Sequence, residues 1–190
     1  VMMTLAQNAF ANSSSSILQS KMNGNIVFML LAPLSSVELY LAFLGAAVVR
    51  GLVTGGAVLI IASLLIPVSL YSAGLVLLFA VLSSGVMGAL GVIAGIWSEK
   101  YDHLSAFQNF IILPLTFLSG VFYSIQDLSP FWQQLSAWNP VFYLIDGFRF
   151  GFLGVSDVAY LQSLTVALLF LLMLTLLSVL LLRSGYKLRG

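Results

Sequence analysis

Long apolar runs separated by short polar segments make up most of the chain, at residues 37–66, 70–97, 107–123 and 160–182. Each run can form a helix across a hydrocarbon layer of about 30 Å, which takes about 20 residues. The alternating pattern of a transmembrane barrel is absent, and an open sheet cannot satisfy its backbone in lipid. The pattern therefore predicts an all-α polytopic membrane protein.

Apolar residues also open the chain, which passes without a charged segment into a polar run at 12–16. A signal peptide begins instead with positive charge. We therefore expect residues 1–10 to be the end of a membrane helix and the chain to be incomplete at its N-terminus.

The basic residues predict an orientation. Four crossings place most of them on one side of the membrane: Lys21, Lys100, Arg183, Lys187 and Arg189. The opposite side receives only Arg149 from the loops. Because cytoplasmic loops are enriched in Lys and Arg, we expect a cytoplasmic C-terminus.

Composition narrows the function classes. The chain is 61% hydrophobic and 7% charged with a net charge of +1, which excludes a soluble domain and a nucleic-acid-binding face. It has no Cys and one His, so we expect no metal site. No phosphate-binding glycine loop is present, and we expect no catalytic residue. The cluster Glu99, Asp102 and His103 could act in acid–base catalysis, but a solvated loop is favoured.

Aromatic residues are concentrated in residues 119–154. Pro130 and Pro140 each suit a first helical turn and predict helices over Pro130–Ala137 and 140–152. The segment is either an aromatic belt at the interface or a re-entrant hairpin, over 124–154, that closes the outer end of a pathway. Asp146 and Arg149 can pair on one helix face, either as a local salt bridge or in contact with a substrate.

Arg50 lies in the middle of the first apolar run with no acidic residue within four positions. An intramembrane charge is a candidate functional residue, and Arg50 must face protein or water or reach the headgroups. Gly51 and Gly55, and a ridge at Ser84, Gly88, Gly91 and Gly95, indicate tight helix packing or a homodimer. Pro114 should kink the third run.

The motifs resemble a known family. Residues 114–123 read PLTFLSGVFY, followed by LSPFW at 128–132 and NPVFY at 139–143, and KMNGNI at 21–26 precedes LLAPLS at 30–35. In order and spacing these segments are similar to the type-2 ATP-binding-cassette exporter permeases, in particular the bacterial inner-membrane branch linked to drug and lipooligosaccharide export. Family members often have acidic residues where this chain has Val27 and Phe28.

The resemblance implies a six-span permease domain over 1–190 that lacks its first span here, and a second permease copy as partner. It implies a nucleotide-binding ATPase subunit that holds ATP and Mg, with no cofactor on this chain. Residues 19–34 would form the cytoplasmic segment that couples to the ATPase, through Lys21, Met22, Gly24, Asn25, Leu30 and Pro33. The translocation gate would comprise Pro114, Ser119, Gly120, Phe122, Tyr123, Trp132, Asn139, Pro140, Tyr143, Asp146 and Arg149.

The expected function is that of a permease subunit of an ATP-driven exporter, multi-pass in the bacterial inner membrane, for an amphipathic drug, lipid or glycan. The alternative is a non-transporting anchor or channel-like subunit of a membrane complex. An intramembrane serine enzyme is disfavoured, since Ser119 has no base near it in the sequence.

Overall fold

The computed structural model describes residues 1–67, 70–121 and 128–187, except for the side chain of Leu30, and within these ranges it is built from helices without strands. The helices are α1 Met2–Met22, α2 Asn25–Leu31, α3 Ser36–Leu65, α4 Ala73–Trp97, α5 Tyr101–Phe107, α6 Leu113–Phe117, α7 Pro130–Ala137, α8 Pro140–Leu153 and α9 Tyr160–Ser184. The predicted all-α polytopic class is confirmed.

Three helices of the described part, α3, α4 and α9, are long and apolar enough to cross a membrane. They match the first, second and last predicted runs. The third run differs, because it begins earlier, at Tyr101, and the helix ends at Phe117. Between α5 and α6 the helix widens to a π-helix over Gln108–Ile112, just before Pro114. Proline has no N–H to donate and its ring clashes with the preceding turn, so the widened turn explains how the helix accommodates it.

The polar run at 12–16 lies inside α1, which continues to Met22. Serine can stay in a helix when its hydroxyl bonds the carbonyl four residues back. The Ser14 hydroxyl donates to the Phe10 carbonyl at 2.8 Å, and the Ser20 hydroxyl donates to the Ser16 carbonyl at 2.8 Å. Ser13 and Ser14 are buried against α4. The helix therefore extends well beyond the apolar residues that predicted it.

Helix α4 forms the core of the bundle, packed by α1, α3, α8 and α9. Its glycine ridge faces α1: a Cβ at Gly91 would lie 2.5 Å from the Phe10 carbonyl oxygen, and one at Gly95 would lie 2.9 Å from the Ser14 carbonyl oxygen. Gly51 of α3 approaches α1 and Ser84 in the same way. The predicted small-residue ridges are therefore used for packing within the chain.

Hydrogen bonds place the loops at two ends of the bundle. At one end, the Lys21 ammonium bonds the last carbonyls of α4, beside Glu99 and Lys187. We call this the lysine end. At the opposite end, the Tyr71 and Ser72 N–H groups donate to carbonyls of α8, at 3.1 and 2.9 Å. This arrangement agrees with the predicted grouping of the loops.

Helix α8 runs from the interior of the bundle to the end opposite the lysine end. Gly151 packs on Val76 in the first turn of α4, and Gly147 packs on Phe79 one turn further in. At 1.5 Å per residue, Pro140 at the start of α8 lies about 16 Å deeper than Gly151. The turn between α7 and α8 is thus level with the middle of α4.

Candidate functional site

The lysine end is organised around the last turn of α4. Lys21 Nζ donates to the Ile96 and Ser98 carbonyls at 2.8 and 2.6 Å. Lys187 Nζ pairs with Glu99 Oε1 at 3.0 Å and lies 5.5 Å from the centre of the Trp97 ring. Both cations therefore oppose the negative end of the α4 dipole, where carbonyls have no helical partners.

These contacts shift the ionisation of two groups. The hydrogen bond and charge of Lys187 lower the pKa of Glu99, and Lys21 and His103 add smaller effects of the same sign. Burial lowers the pKa of Lys21, although the Glu99 carboxylate opposes that shift. Lys21 thus joins the end of α1 to the end of α4, because its ammonium donates to the Ile96 and Ser98 carbonyls.

The predicted coupling segment is a sharp turn followed by the short helix α2. Gly24 has a φ of +72°, in the left-handed region that glycine adopts without strain. Met22, Phe28 and Leu31 are 58%, 73% and 76% exposed. A cavity of about 560 Å³ opens between this segment and the Lys187 tail. The segment therefore exposes apolar side chains at the lysine end.

The start of α3 fixes the other end of this segment. Ser35 and Glu38 form a reciprocal capping box, in which the Ser35 hydroxyl accepts from the Glu38 N–H and the Glu38 carboxylate accepts from the Ser35 N–H. The spacing Ser-x-x-Glu is a sequence signal that predicts this cap. Pro33 lies in the tight bend between α2 and the cap, across which the Leu34 N–H donates to the Ala32 carbonyl at 2.7 Å, while Asn25 is the first residue of α2.

Asp146 and Arg149 pair as predicted, within a larger charge cluster. Asp146 is 1% exposed and accepts from Arg149 Nη2 at 2.8 Å and from the Asp157 N–H at 2.8 Å. Arg149 also pairs with Asp157 Oδ2 at 2.5 Å, and the Ser163 hydroxyl donates to Asp146 Oδ2 at 3.3 Å. The cluster joins α8, the following loop and α9. Sequence reasoning missed Asp157 and Ser163, because they lie beyond helical spacing from Asp146.

The turn between α7 and α8 is held to the end of α6. The Asn139 side chain accepts from the Val141 N–H at 3.0 Å and donates to the Leu115 carbonyl at 2.7 Å. The Ser136 hydroxyl donates to the Leu118 carbonyl at 3.2 Å, and the Tyr143 hydroxyl donates to the Ala137 carbonyl at 2.9 Å. Asn139 and Ser136 thereby satisfy carbonyls that α6 leaves open where it ends. Of the predicted residues, Asn139 and Tyr143 thus hold this turn through hydrogen bonds, and Pro140 is the first residue of α8.

The remaining gate residues are distributed around this turn. Ser119 is buried and its hydroxyl donates to the Thr116 carbonyl, while Gly120 has a φ of +75°. Trp132 on α7 is exposed. Phe122 and Tyr123 lie outside the described residues. An apolar cavity of about 560 Å³, lined by Gly120, Arg149 and the start of α1 among others, lies beside the charge cluster.

The acid–base cluster has no catalytic geometry. Glu99 is paired with Lys187, and His103 Nδ1 accepts from the Glu99 backbone N–H at 3.4 Å. Within the described ranges, no three His, Cys, Asp or Glu side chains converge on a point that could hold a metal. Ser119 bonds only its own helix turn there.

Residues 1–153 match the sequence model of the family described as ABC-2 type transporter. The chain belongs to this family. It is 36% identical over 190 residues, all of this chain and 74% of the relative, to "Inner membrane transport permease YadH" of Escherichia coli (strain K12) and to the protein of that name in Shigella flexneri. It is 31% identical over 88 residues, 44% of this chain and 34% of the relative, to "Nodulation protein J" of Rhizobium leguminosarum bv. viciae.

The family expected from the motifs is thus confirmed, and the chain is a transport permease subunit of the ABC-2 type. Permeases of this family generally work with an ATP-binding subunit. The structural features above can therefore be interpreted as parts of a transporter.

Proposed function

We propose that the chain is the permease subunit of an ATP-driven exporter in the bacterial inner membrane, working as a homodimer with a nucleotide-binding subunit that holds ATP and Mg. The substrate is an amphipathic drug, lipid or glycolipid. The C-terminus and the lysine end face the cytoplasm. The observation that best supports this proposal is the exposed apolar face of α2 at the lysine end.

That face connects directly to the core of the bundle. Only the Asn23–Gly24 turn separates α2 from α1, and α1 packs on α4 through contacts at Gly91 and Gly95 that leave no space for a side chain. A displacement of α2 by the ATPase would therefore move α1 against the core rather than be absorbed in a loop. The ATP-binding subunit would contact Met22, Phe28 and Leu31, with Lys21 setting the position of α1.

At the opposite end, we propose that α7 and α8 form a re-entrant hairpin that closes the pathway from outside. The depth of Pro140, level with the middle of α4, supports this proposal. Helices that end at membrane depth are stable only when they pack on protein or line a cavity, and the Asn139 and Ser136 bonds to α6 supply that packing. We interpret the Asp146–Arg149–Asp157 cluster as the outer hinge of this hairpin.

The test is ATP hydrolysis by the complex of this chain with its ATP-binding subunit in nanodiscs, across a panel of drugs, lipids and glycolipids. We expect one class to stimulate hydrolysis. Phe28→Ala should abolish the stimulation, because truncation removes an exposed anchor of the interface. Tyr101→Ala is the matched control, since Tyr101 is another exposed aromatic near the lysine end but outside α2.

Two results would contradict the proposal. If the two proteins do not associate and hydrolysis ignores the membrane subunit, the chain is an anchor or channel-like component. If Phe28→Ala and Tyr101→Ala behave alike, α2 is not the docking segment.

A further inference from the structure

Arg50 is a cation on the exposed face of α3. Its guanidinium Nη1 donates to Asn12 Oδ1 of α1 at 3.2 Å. Among the described residues, no carboxylate forms an ion pair with it, since the salt bridges there involve only Arg149 and Lys187. The positive charge of Arg50 is therefore oriented by an amide but not neutralised.

The contact with Asn12 fixes the position of this charge along the length of the bundle. Lys21 bonds the last carbonyls of α4 and so marks the lysine end. Asn12 precedes Lys21 in α1 by about 13 Å of helix, at 1.5 Å per residue. With the lysine end at the edge of a hydrocarbon layer about 30 Å thick, the guanidinium lies near the middle of that layer. Turned sideways onto α1 at this depth, it does not extend toward the headgroups.

The surface around Arg50 is polar along the length of α1. Residues with the helical spacing of four, four, three and four lie on one side of that helix, and we call them the polar stripe: Thr4, Asn8, Asn12, Ser15 and Gln19. Each is partly or fully exposed, whereas the opposite side of α1 is buried against α4. A stripe of amides and hydroxyls beside an uncompensated cation is unfavourable against lipid and suited to water.

We propose that Arg50 and the polar stripe line the translocation pathway, and that Arg50 binds an anionic group of the transported amphiphile. This inference rests on the proposed function and adds to it the charge of the substrate. Guanidinium binds carboxylate and phosphate with two parallel hydrogen bonds, and Asn12 uses only part of this donor capacity. A hydrated surface with one fixed cation would allow an anionic headgroup to move along it, while the alkyl part of the substrate contacts apolar helix faces.

The first experiment needs no knowledge of the substrate. The chain has no cysteine, so single cysteines report one position each. In proteoliposomes of the complete transporter, Asn8→Cys is treated with an anionic and a cationic methanethiosulfonate reagent, and Val53→Cys, exposed on α3 one turn from Arg50, is the control. These reagents react with the thiolate, which requires water. We expect Asn8→Cys to react at least about tenfold faster than Val53→Cys, because water stabilises the charged thiolate.

Arg50→Gln, introduced into the Asn8→Cys protein, then tests whether the positive charge of Arg50 attracts anions to this surface. Arg50 bonds Asn12, which lies one helical turn from residue 8. The ratio of anionic to cationic reaction rates at Asn8→Cys should therefore fall about tenfold or more, as expected for loss of a unit charge at that separation in a medium of intermediate dielectric. Equal reactivity of the two cysteines would show that the stripe faces lipid or protein. An unchanged ratio would show that Arg50 does not act on an anion in the pathway. Either result overturns the inference.

The second experiment uses ATP hydrolysis by the complex in phosphatidylcholine nanodiscs, with dodecyl phosphate, dodecanol and dodecyltrimethylammonium as probes of one chain length. We expect dodecyl phosphate to stimulate at the lowest concentration. Arg50→Gln should raise its half-stimulating concentration about tenfold, the loss typical of one charge-assisted contact, and Arg50→Lys should restore part of it.

The outcomes separate the two proposals. If wild type responds equally to the three probes, or if Arg50→Gln retains the preference for the anion, the anion site is refuted and the permease function stands. If the chain does not associate with the ATP-binding subunit, the proposed function fails and this inference fails with it.

Discussion

Replacing Gly91 with alanine should separate the two central helices. The added Cβ would lie 2.5 Å from the Phe10 carbonyl oxygen, 3.0 Å from the Ser13 Cβ and 3.2 Å from the Ser14 nitrogen. Ordinary van der Waals contact begins near 3.4 Å, so α1 would have to retreat by about 0.9 Å. Two of these three atoms belong to the backbone, so no side-chain rotation can relieve the overlap.

The magnitude follows from two opposing effects. Overpacking of this kind costs about 1–3 kcal/mol, whereas alanine favours a helix over glycine by about 0.8–1.0 kcal/mol. Gly56→Ala is the matched control, because Gly56 lies in α3 with no atom within 4 Å of its added Cβ. Gly56→Ala should gain stability from the helix preference of alanine without any steric overlap of the added Cβ. Since both variants gain the same propensity term, they should differ by the overpacking cost alone, about 1–3 kcal/mol in the free energy of unfolding.

Thermal unfolding of the detergent-solubilised proteins, followed by loss of the monodisperse chromatographic peak, measures this difference. For a chain of this size, about 2–4 °C per kcal/mol predicts a midpoint roughly 2–12 °C lower for Gly91→Ala than for Gly56→Ala. Equal midpoints would refute the close packing of α1 on α4.

Gly147→Ala provides an internal comparison. Its added Cβ would meet the Phe79 ring at 2.1 Å, which is a side chain rather than backbone. Phe79→Leu should therefore rescue Gly147→Ala and leave Gly91→Ala unrescued, as measured by the same midpoints. Rescue of both would indicate general loosening of the bundle.

Two further outcomes concern charged groups. Asp146→Asn and Arg149→Ala should be non-additive in a double-mutant cycle, with a coupling of about 1–3 kcal/mol in the free energy of unfolding, and additive losses would exclude an energetic link. Because the folded pKa of Glu99 is lowered by Lys187, their contact should hold above the usual value of 4.5 and be lost as the pH falls through the lowered pKa. Trp97 fluorescence, with the other tryptophans changed to phenylalanine, should show this acid transition, Glu99→Gln should abolish it, and its persistence in that variant would assign it elsewhere.

Much of the fold was predictable because long apolar runs leave few alternatives to helices. Pro130 and Pro140 located the starts of α7 and α8, since proline suits a first helical turn. Helix α1 was only partly predictable. Its serines indicated a polar segment that ends the helix. In the structure their hydroxyls donate to carbonyls of the preceding helical turn, and composition alone does not reveal these bonds.

The candidate site was predictable where partners are close in sequence. Asp146 and Arg149 lie one turn apart, so helical spacing predicted their pair. Asp157 joins the same cluster only because the loop after α8 folds back, and Lys187 reaches Glu99 only through the tertiary fold. The hydrogen bonds of Lys21 were not predictable for the same reason, since the carbonyls that accept them lie more than 70 residues away in the sequence.

The serine-rich helix α1 also bears on how the protein is made. It packs along α4, yet it is not among the three described helices whose length and hydropathy suffice for spanning a membrane. A helix that polar gains little by entering lipid alone, and its stable position requires a partner surface. That surface, the glycine ridge of α4, is synthesised only after α2 and α3. The packing that fixes α1 is therefore completed only when a helix that comes later in the chain is in place.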